Sequence, residues 1–335
     1  MKNKQLISII ITGVVIVAVG VTGVVSNVIS NKMTAKLNDE SKSLFSSVLN
    51  DNVISSDDLP SDDYVGIINI VGEIQASDGV SSSYEYNHDL YLDYIEKMEK
   101  SRTNKGILLY VNSPGGGVYE SDEMYLRLME YKEKTQRPVW AYFADQACSG
   151  GYYIAMAADK IYANRNTWTG SIGVIVSLLN CKDLYDKLGI KEIDITSGKN
   201  KAMGSSGLDL TEEQRDILQS LVDEAYDQFV GIVAQGRNMD ESGVRVLADG
   251  RIYSAKQAKE NGLVDEIADL DEAKAAFADE EGFDSDIEFF TPENDLSIFD
   301  ALFIKAKDLL PKSETDLASD IIENRGSGVL KYYAE

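Results

Sequence analysis

The sequence predicts an α/β fold in which parallel strands are joined by helical crossovers. From Tyr64 onward, short apolar runs typical of buried strands alternate with segments whose apolar residues recur every three or four positions. Two capping boxes, at Thr211–Gln214 and Ser254–Gln257, indicate helix starts, because the first and fourth residues can satisfy each other's free backbone N–H groups. This alternation is typical of parallel strands linked by helices, and the chain has no internal sequence repeat.

Each element follows from its own residue pattern. Strands are predicted where apolar runs are short, at residues 65–70, 106–111, 138–143, 161–163, 173–176 and 192–195. Helices are predicted where apolar residues have helical spacing, at residues 88–100, 119–134 and 149–158, from Thr211 onward, and from Ser254 to a terminal Gly262. The glycine-rich residues 112–117 are predicted to form a loop between a strand and a helix.

The amino-terminal segment has the length and composition of a membrane-spanning helix. Residues Leu6–Ser26 carry no charge, and as a helix they would rise about 31 Å, close to the hydrocarbon thickness of a bilayer. The short leading tail favours a cytoplasmic amino terminus. A cleaved signal peptide is the rival interpretation, but its apolar region would be shorter and no clean Ala-x-Ala site follows.

The predicted organisation therefore has five parts. They are a cytoplasmic tail (1–5), a transmembrane helix (6–27), an extracytoplasmic linker (28–63), a folded domain (64–285) and a carboxyl-terminal extension (286–335). We expect a single-pass protein of the cell membrane whose folded domain is extracytoplasmic.

Charge and cysteine content narrow the classes of partner. The formal net charge is −24, which disfavours nucleic acid or anionic lipid as a partner of the folded part. Cys148 and Cys181 are the two cysteines, too few for a disulfide framework. No cluster of residues has zinc-ligand spacing and no phosphate-binding loop is present, so neither a metal nor a cofactor is expected.

Ser149 is the candidate nucleophile. It precedes two glycines at a predicted strand-to-helix junction, where free backbone N–H groups favour negative charge. A hydroxyl needs a base to take its proton, but the chain has a single histidine, His88, which is expected at the surface or in a helix cap. The base is therefore expected to be a lysine, a known variant of the catalytic triad. Spacing alone leaves Lys199 and Lys201 as equal candidates.

The same chemistry needs supporting groups. A lysine base must be uncharged, which burial away from water favours, and it needs a hydrogen-bond partner, for which Ser171 is the candidate. Backbone N–H groups in Gly115–Gly117 could face a carbonyl oxygen or pair with an extended peptide. A tight turn is the alternative interpretation of this triple glycine.

Five motifs in order resemble the signal peptide peptidase A family of bacterial membrane-anchored serine peptidases. They are Val111–Gly117, Ser149–Ala155, Thr169–Val174, Ser197-Gly198 with Lys201, and Ala248–Arg251. The resemblance covers roughly residues 64–270, and the length resembles the short, single-domain form of the family. It implies a ClpP/crotonase-like spiral of ββα units for the folded domain.

The resemblance also implies roles for single residues. Ser149 matches the nucleophile, and Lys201 rather than Lys199 matches the general base. Ser171 matches the hydroxyl that orients the lysine. Gly116 and Gly150 match the positions whose N–H groups form the oxyanion hole.

The implied activity is the cleavage of leftover signal peptides in the membrane after their release from secretory proteins. In the family the dyad is assembled between neighbouring subunits of a ring-like homo-oligomer. Two other functions are weighed against this one. A crotonase-fold acyl-CoA enzyme is disfavoured by the extracytoplasmic placement, and a non-catalytic membrane assembly protein has no need for the three polar residues of the site.

The carboxyl-terminal residues Val329–Ala334 form an apolar tail after an acidic, polar stretch. One interpretation is a final strand or helix packed on the core. The other is that the tail resembles a substrate and docks in, or is trimmed by, the protein's own site.

Overall fold

The computed structural model of the protein describes residues 59–76, 86–292 and 331–333. The predicted cytoplasmic tail, the transmembrane helix and most of the linker lie outside these residues. Among the described residues, no helix combines the length and the apolar character that crossing a membrane requires.

The elements alternate along the chain as the sequence predicts. The strands are β1 (Tyr64–Ile74), β2 (Asn104–Gly117), β3 (Val139–Cys148), β4 (Lys160–Ala163), β5 (Trp168–Gly170), β6 (Ile252–Ser254), β7 (Glu266–Ile267), β8 (Glu288–Phe290) and β9 (Lys331–Tyr333). The helices are α1 (His88–Lys100), α2 (Val118–Thr135), α3 (Gly150–Ala155), α4 (Lys182–Leu188), α5 (Glu212–Gly236), α6 (Glu241–Leu247), α7 (Ala255–Glu260) and α8 (Leu270–Glu281).

These strands form one mixed sheet in the order β6-β5-β3-β2-β1-β8. The central pairs β1–β2 and β2–β3 are parallel, which confirms the predicted α/β class. The first half of β3 pairs with β4 and its second half pairs with β5. Because β1, β2 and β3 run in the same direction, their carboxyl ends lie at the same edge of the sheet.

Helices cover both faces of the sheet, which explains why its central strands are apolar on both sides. On one face Ile68 and Ile70 of β1 belong to a core that includes buried residues of α1, α2, α3 and α5. On the other face Val65 of β1 and Trp140 of β3 pack with Phe277 of α8. Alternate residues of β1 thus serve two separate apolar cores.

The helix caps agree with the sequence. The side chain of Thr211 accepts a hydrogen bond from the Gln214 N–H at the start of α5, and Ser254 does the same for Gln257 at the start of α7. Gly262, with φ of 75°, follows the end of α7 in the left-handed conformation that glycine tolerates best.

Two predicted strands do not form. Residues 173–176 and 192–195 have no strand assignment in the described part of the chain, apart from a single bridge residue at position 175. Ile193 and Ile195 are 79% and 97% exposed, so their apolar side chains lack the neighbouring strand that would make them part of a sheet. The glycine-rich residues 112–117 were predicted to form a loop, but they extend strand β2.

The stack of Phe277 on Trp140 supplies the first prediction. The ring centroids lie 4.8 Å apart with the planes 10° from parallel. Replacing Phe277 with alanine should lower the free energy of unfolding by about 3–5 kcal/mol, because a buried aromatic ring is replaced by a cavity. Urea unfolding followed by tryptophan fluorescence measures this change. The exposed Lys256→Ala variant should shift stability by less than about 0.5 kcal/mol, and an equally small loss for Phe277→Ala would contradict this account of the core.

Candidate active site

The predicted nucleophile and the predicted oxyanion residues meet where the carboxyl ends of β2 and β3 lie side by side. β2 ends at Gly117, and β3 ends at Cys148, directly before Ser149. Ser113 pairs with Ala147 in the last register position that the two strands share. The structure thus brings the triple glycine and the predicted nucleophile together from positions more than 30 residues apart.

Ser149 has a strained backbone. Its φ of 51° and ψ of −115° lie outside the regions that residues with a side chain normally occupy. The Ser149 N–H donates to the carbonyl of Gly170 at 2.8 Å, and the Ser149 carbonyl accepts from the Tyr153 N–H at 2.8 Å. Its Oγ is buried and has no hydrogen-bond partner among the described residues. A buried hydroxyl without a hydrogen-bond partner costs free energy, so we expect a polar group from elsewhere to bond to Ser149 Oγ.

Gly116 and Gly150, the predicted oxyanion residues, are close neighbours. A Cβ atom on Gly150 would lie 3.2 Å from the Gly116 nitrogen and 2.5 Å from Ser121 Oγ. A Cβ atom on Gly116 would collide with the backbone of Ile74 in β1. Only glycine fits both positions without displacing the backbone or a side chain beside it.

Ser171 lies beside the nucleophile segment. It follows Gly170, whose carbonyl accepts from the Ser149 N–H, and its own N–H donates to the Arg251 carbonyl at 2.8 Å. Its φ of 48° is also positive, and its side chain is buried. A cleft of about 360 Å³ opens at Ser171 and is lined on its far side by Tyr226 and Asp249.

The two candidate lysines have different surroundings. Lys199 Nζ forms an ion pair with Glu213 Oε1 at 2.6 Å at the start of α5. The Lys201 side chain is exposed and has no hydrogen-bond or ion-pair partner in the described part of the chain. The structure therefore does not bring either lysine to Ser149 within one chain.

The segment from the start of α4 to Lys201 exposes several large apolar side chains. They are Leu184, Leu188, Ile190, Ile193 and Ile195. Exposed apolar side chains of this number within one short segment favour a protein–protein contact.

A short strand near the carboxyl terminus, β9, pairs with the glycine-rich end of β2. β9 runs antiparallel to β2, with Gly115 opposite Tyr333, Gly116 opposite Tyr332 and Gly117 opposite Lys331. The tail thus forms the final strand that the sequence allowed, and this strand lies on the predicted site. Trimming of the tail stays a prediction.

Neither Cys148 nor His88 offers an alternative catalytic group. Cys148 is 1% exposed, and burial raises the pKa of its thiol to about 12, which disfavours the reactive thiolate. His88 is buried, with Nδ1 2.6 Å from the Tyr86 hydroxyl and Nε2 2.8 Å from Glu123 Oε2. The expectation of a surface or capping histidine was wrong, because the aromatic stretch around it packs into the core.

Two serines that were not among the predicted site residues make hydrogen bonds to the backbone at and beside the glycine-rich end of β2. Ser113 Oγ donates to the Gly72 carbonyl at 2.6 Å and accepts from the Gly115 N–H at 3.1 Å. Ser121 Oγ donates to the Gly117 carbonyl at 2.8 Å. The available signal was their position within and just after the Asn112–Gly117 motif, since serine hydroxyls commonly bond nearby backbone groups.

Sequence profiles of known families match the region that contains this site. The profile of Peptidase family S49 matches residues 131–284, and the Clp protease profile matches residues 68–169. The second match agrees with the mixed α/β sheet and indicates a ClpP-like fold.

Individual relatives agree with the profiles. A protein of Enterococcus faecium, provisionally named signal peptide peptidase SppA, is 45% identical over 208 residues, which are 62% of this chain and 59% of that protein. A provisionally named protease of Synechocystis is 40% identical over 190 residues, 57% of this chain and 68% of that protein. The serine protease SPPA of Arabidopsis thaliana chloroplasts is 33% identical over 185 residues, 55% of this chain and 27% of that protein.

The matched segment spans less than two thirds of the Enterococcus relative but slightly more than two thirds of the Synechocystis protease. The family profile covers most of the folded domain, including Ser149, Ser171 and Lys201. The chain therefore belongs to peptidase family S49, a family of serine proteases.

Proposed function

We propose that the protein is a membrane-anchored serine endopeptidase in which Ser149 is the nucleophile and Lys201 of a second copy is the general base. One observation carries the proposal. Ser149 Oγ is buried in a strained segment without a partner, while Lys201 of the same chain is exposed and unpaired among the described residues. Each group lacks what the other would supply.

The chemistry is an acyl-enzyme cycle. Lys201 takes the Ser149 proton as Oγ bonds to the peptide carbonyl carbon, and the displaced electron pair gives an oxyanion that the N–H groups of Gly116 and Gly150 stabilise. The oxyanion collapses, the C–N bond breaks, and the protonated lysine gives its proton to the leaving amine. A water molecule then loses a proton to Lys201, attacks the ester and releases the acid, and Ser149 regains its proton.

Substrate binding follows from the edge of β2. β9 supports a mode in which an extended peptide adds antiparallel to Gly115–Gly117, with main-chain hydrogen bonds providing much of the affinity. An added strand brings a backbone carbonyl close to the two glycines whatever its side chains are. The resemblance to signal peptide peptidases makes apolar signal-peptide segments, left in the membrane after secretion, the proposed substrates.

A second copy would complete the site for two reasons. A lysine base needs a site away from water, which favours the uncharged form, and Lys201 is exposed within one chain. The exposed apolar side chains from Leu184 to Ile195 supply a surface that another copy can cover. The cleft at Ser171 provides an opening through which a lysine side chain can approach.

Membrane attachment rests on the apolar segment at residues 6–27, with the amino terminus in the cytoplasm and the folded domain outside it. A non-catalytic assembly protein is the weaker alternative. A scaffold gains nothing from a strained, buried and unpartnered hydroxyl, which costs stability and would be lost without a use.

Substitution of the proposed dyad gives the first functional prediction. Ser149→Ala and Lys201→Ala should each lower kcat/KM for an apolar signal-peptide-like substrate by about 1,000-fold or more, because either change removes an essential partner of the dyad. Lys199→Ala is the matched control and should keep its activity, since Lys199 is paired with Glu213. Assays use the full-length protein in detergent. Equal activity of wild type and Ser149→Ala would remove the peptidase assignment at this site.

The shared dyad makes a separate prediction about mixtures. Ser149→Ala and Lys201→Ala chains, each inactive alone, should recover part of the wild-type activity when they are co-expressed with different tags and purified through both. A mixed assembly places an intact Ser149 beside an intact Lys201. Co-expression of Ser149→Ala with the double variant should stay inactive. If the doubly purified complementary mixture is also inactive, the dyad forms within one chain.

The third functional prediction concerns the carboxyl-terminal strand β9. Ending the chain at Leu330 removes β9, and should raise kcat/KM for short peptides several-fold because the edge of Gly115–Gly117 becomes available. Ending the chain at Tyr333 keeps β9 and is the matched control, with activity near wild type. Equal rates for both truncated proteins would show that β9 does not compete with substrate.

A further inference from the structure

The proposed oxyanion hole is built from two separate elements. Gly116 belongs to β2, which continues directly into α2, and Gly150 begins α3. An oxyanion hole works only if its donors keep a fixed distance from the position of the oxygen, and a displacement of about 1 Å can cost on the order of 100-fold in rate. The contacts between α2 and α3 therefore control the geometry of the site, on the condition that the proposed function holds.

Two consecutive residues of α2 touch α3. Ser121 packs against Gly150, with its Oγ 2.5 Å from the point where a Cβ atom would stand. Asp122 Oδ1 accepts a hydrogen bond from the Tyr153 hydroxyl at 2.6 Å. The Tyr153 N–H also donates to the Ser149 carbonyl, so Tyr153 lies one helical turn after the proposed nucleophile.

A third element, α5, closes the cluster. Gln228 Nε2 donates to the Tyr153 hydroxyl at 2.7 Å and lies 3.1 Å from Asp122 Oδ1. The Tyr153 ring packs edge-on against Tyr125 of α2, with centroids 5.7 Å apart, and at a tilt against Phe229 of α5. The hydrogen bond from the Tyr153 hydroxyl to Asp122 is thus a directional link between α2 and α3 beside the apolar packing of the same ring.

We infer that Asp122 is a positioning residue which, through the Tyr153 hydroxyl, keeps the Gly150 segment of α3 in register with the Gly116 segment ahead of α2. A carboxylate suits this task because hydrogen bonds to a charged acceptor are shorter and stronger than neutral ones. Asp122 does not touch the reacting atoms. Its effect should fall mainly on the transition state, since the main-chain pairing of a strand added at Gly115–Gly117 is to β2, whereas Gly150 of α3 supplies a donor for the oxyanion.

Three variants test the inference in full-length protein. Tyr153→Phe and Asp122→Asn should each lower kcat by about 10- to 100-fold while KM stays within about twofold. The double variant should be no worse than the poorer single variant, because Tyr153→Phe removes the hydrogen bond that Asp122→Asn weakens by taking the charge from its acceptor. Affinity for a peptide aldehyde, whose tetrahedral adduct places an oxygen in the oxyanion hole, should fall in parallel with kcat/KM.

Tyr152→Phe is the matched control. Tyr152 lies on the same helix, is fully buried, and donates its hydroxyl proton to the Leu263 carbonyl at 2.9 Å, away from α2. It should lose stability to the same extent as Tyr153→Phe but keep its kcat. Thermal unfolding of each variant records the stability change independently of activity.

The outcomes separate this inference from the proposed function. Wild-type rates in Tyr153→Phe and Asp122→Asn, with active wild type and inactive Ser149→Ala, overturn the inference alone. Independent, multiplicative losses in the double variant also overturn it. If wild type and Ser149→Ala are equally inactive, the proposed function fails and the role of Asp122 fails with it.

Discussion

The backbone at Ser149 is the constraint on which the site depends. A residue with a side chain at φ of 51° and ψ of −115° costs about 1–3 kcal/mol, so its neighbours must hold it there. β5 does so from one side, where Gly170 pairs with Cys148 and accepts the Ser149 N–H. The first turn of α3 holds Ser149 from the other side, where the Tyr153 N–H donates to the Ser149 carbonyl. The backbone conformation at Ser149 thus joins the end of β3 to the buried start of α3.

The irregular ends of β1, β2 and β3 determine the strand edge at which we propose that a substrate binds. β1 and β2 change register between Val71 and Glu73, which aligns Ile74 with Gly116. β3 follows β2 only as far as Ser113, so the next residues of β2 lose that neighbour and offer an edge to another strand. A bulge near the end of a strand commonly redirects the backbone in this way. The availability of this edge is therefore a consequence of strand register.

The sequence predicted the central strands and the helix starts well, because these depend on local patterns. Buried runs such as 106–111 and the caps at Thr211 and Ser254 carry their own signal. The strand predicted at residues 192–195 was wrong because an alternation of apolar and polar residues is the same in a strand of a sheet and in an exposed segment. Gly115–Gly117 were assigned to a loop because their strand partners, Ile74 and β9, lie far away in the chain. The Asp122–Tyr153 contact was beyond prediction, since it depends on how α2 and α3 pack.

The proposed division of the site between two copies would explain an otherwise unfavourable arrangement. Within one chain Ser149 Oγ is buried without a partner and Lys201 is in water, so neither group is activated. In the proposed assembly a second chain would bury Lys201 and give the Ser149 hydroxyl its missing partner in the same step. The free energy of covering the apolar surface from Leu184 to Ile195 would then offset the cost of desolvating the lysine. On this account an unassembled chain cannot hydrolyse peptides, and assembly itself switches the enzyme on.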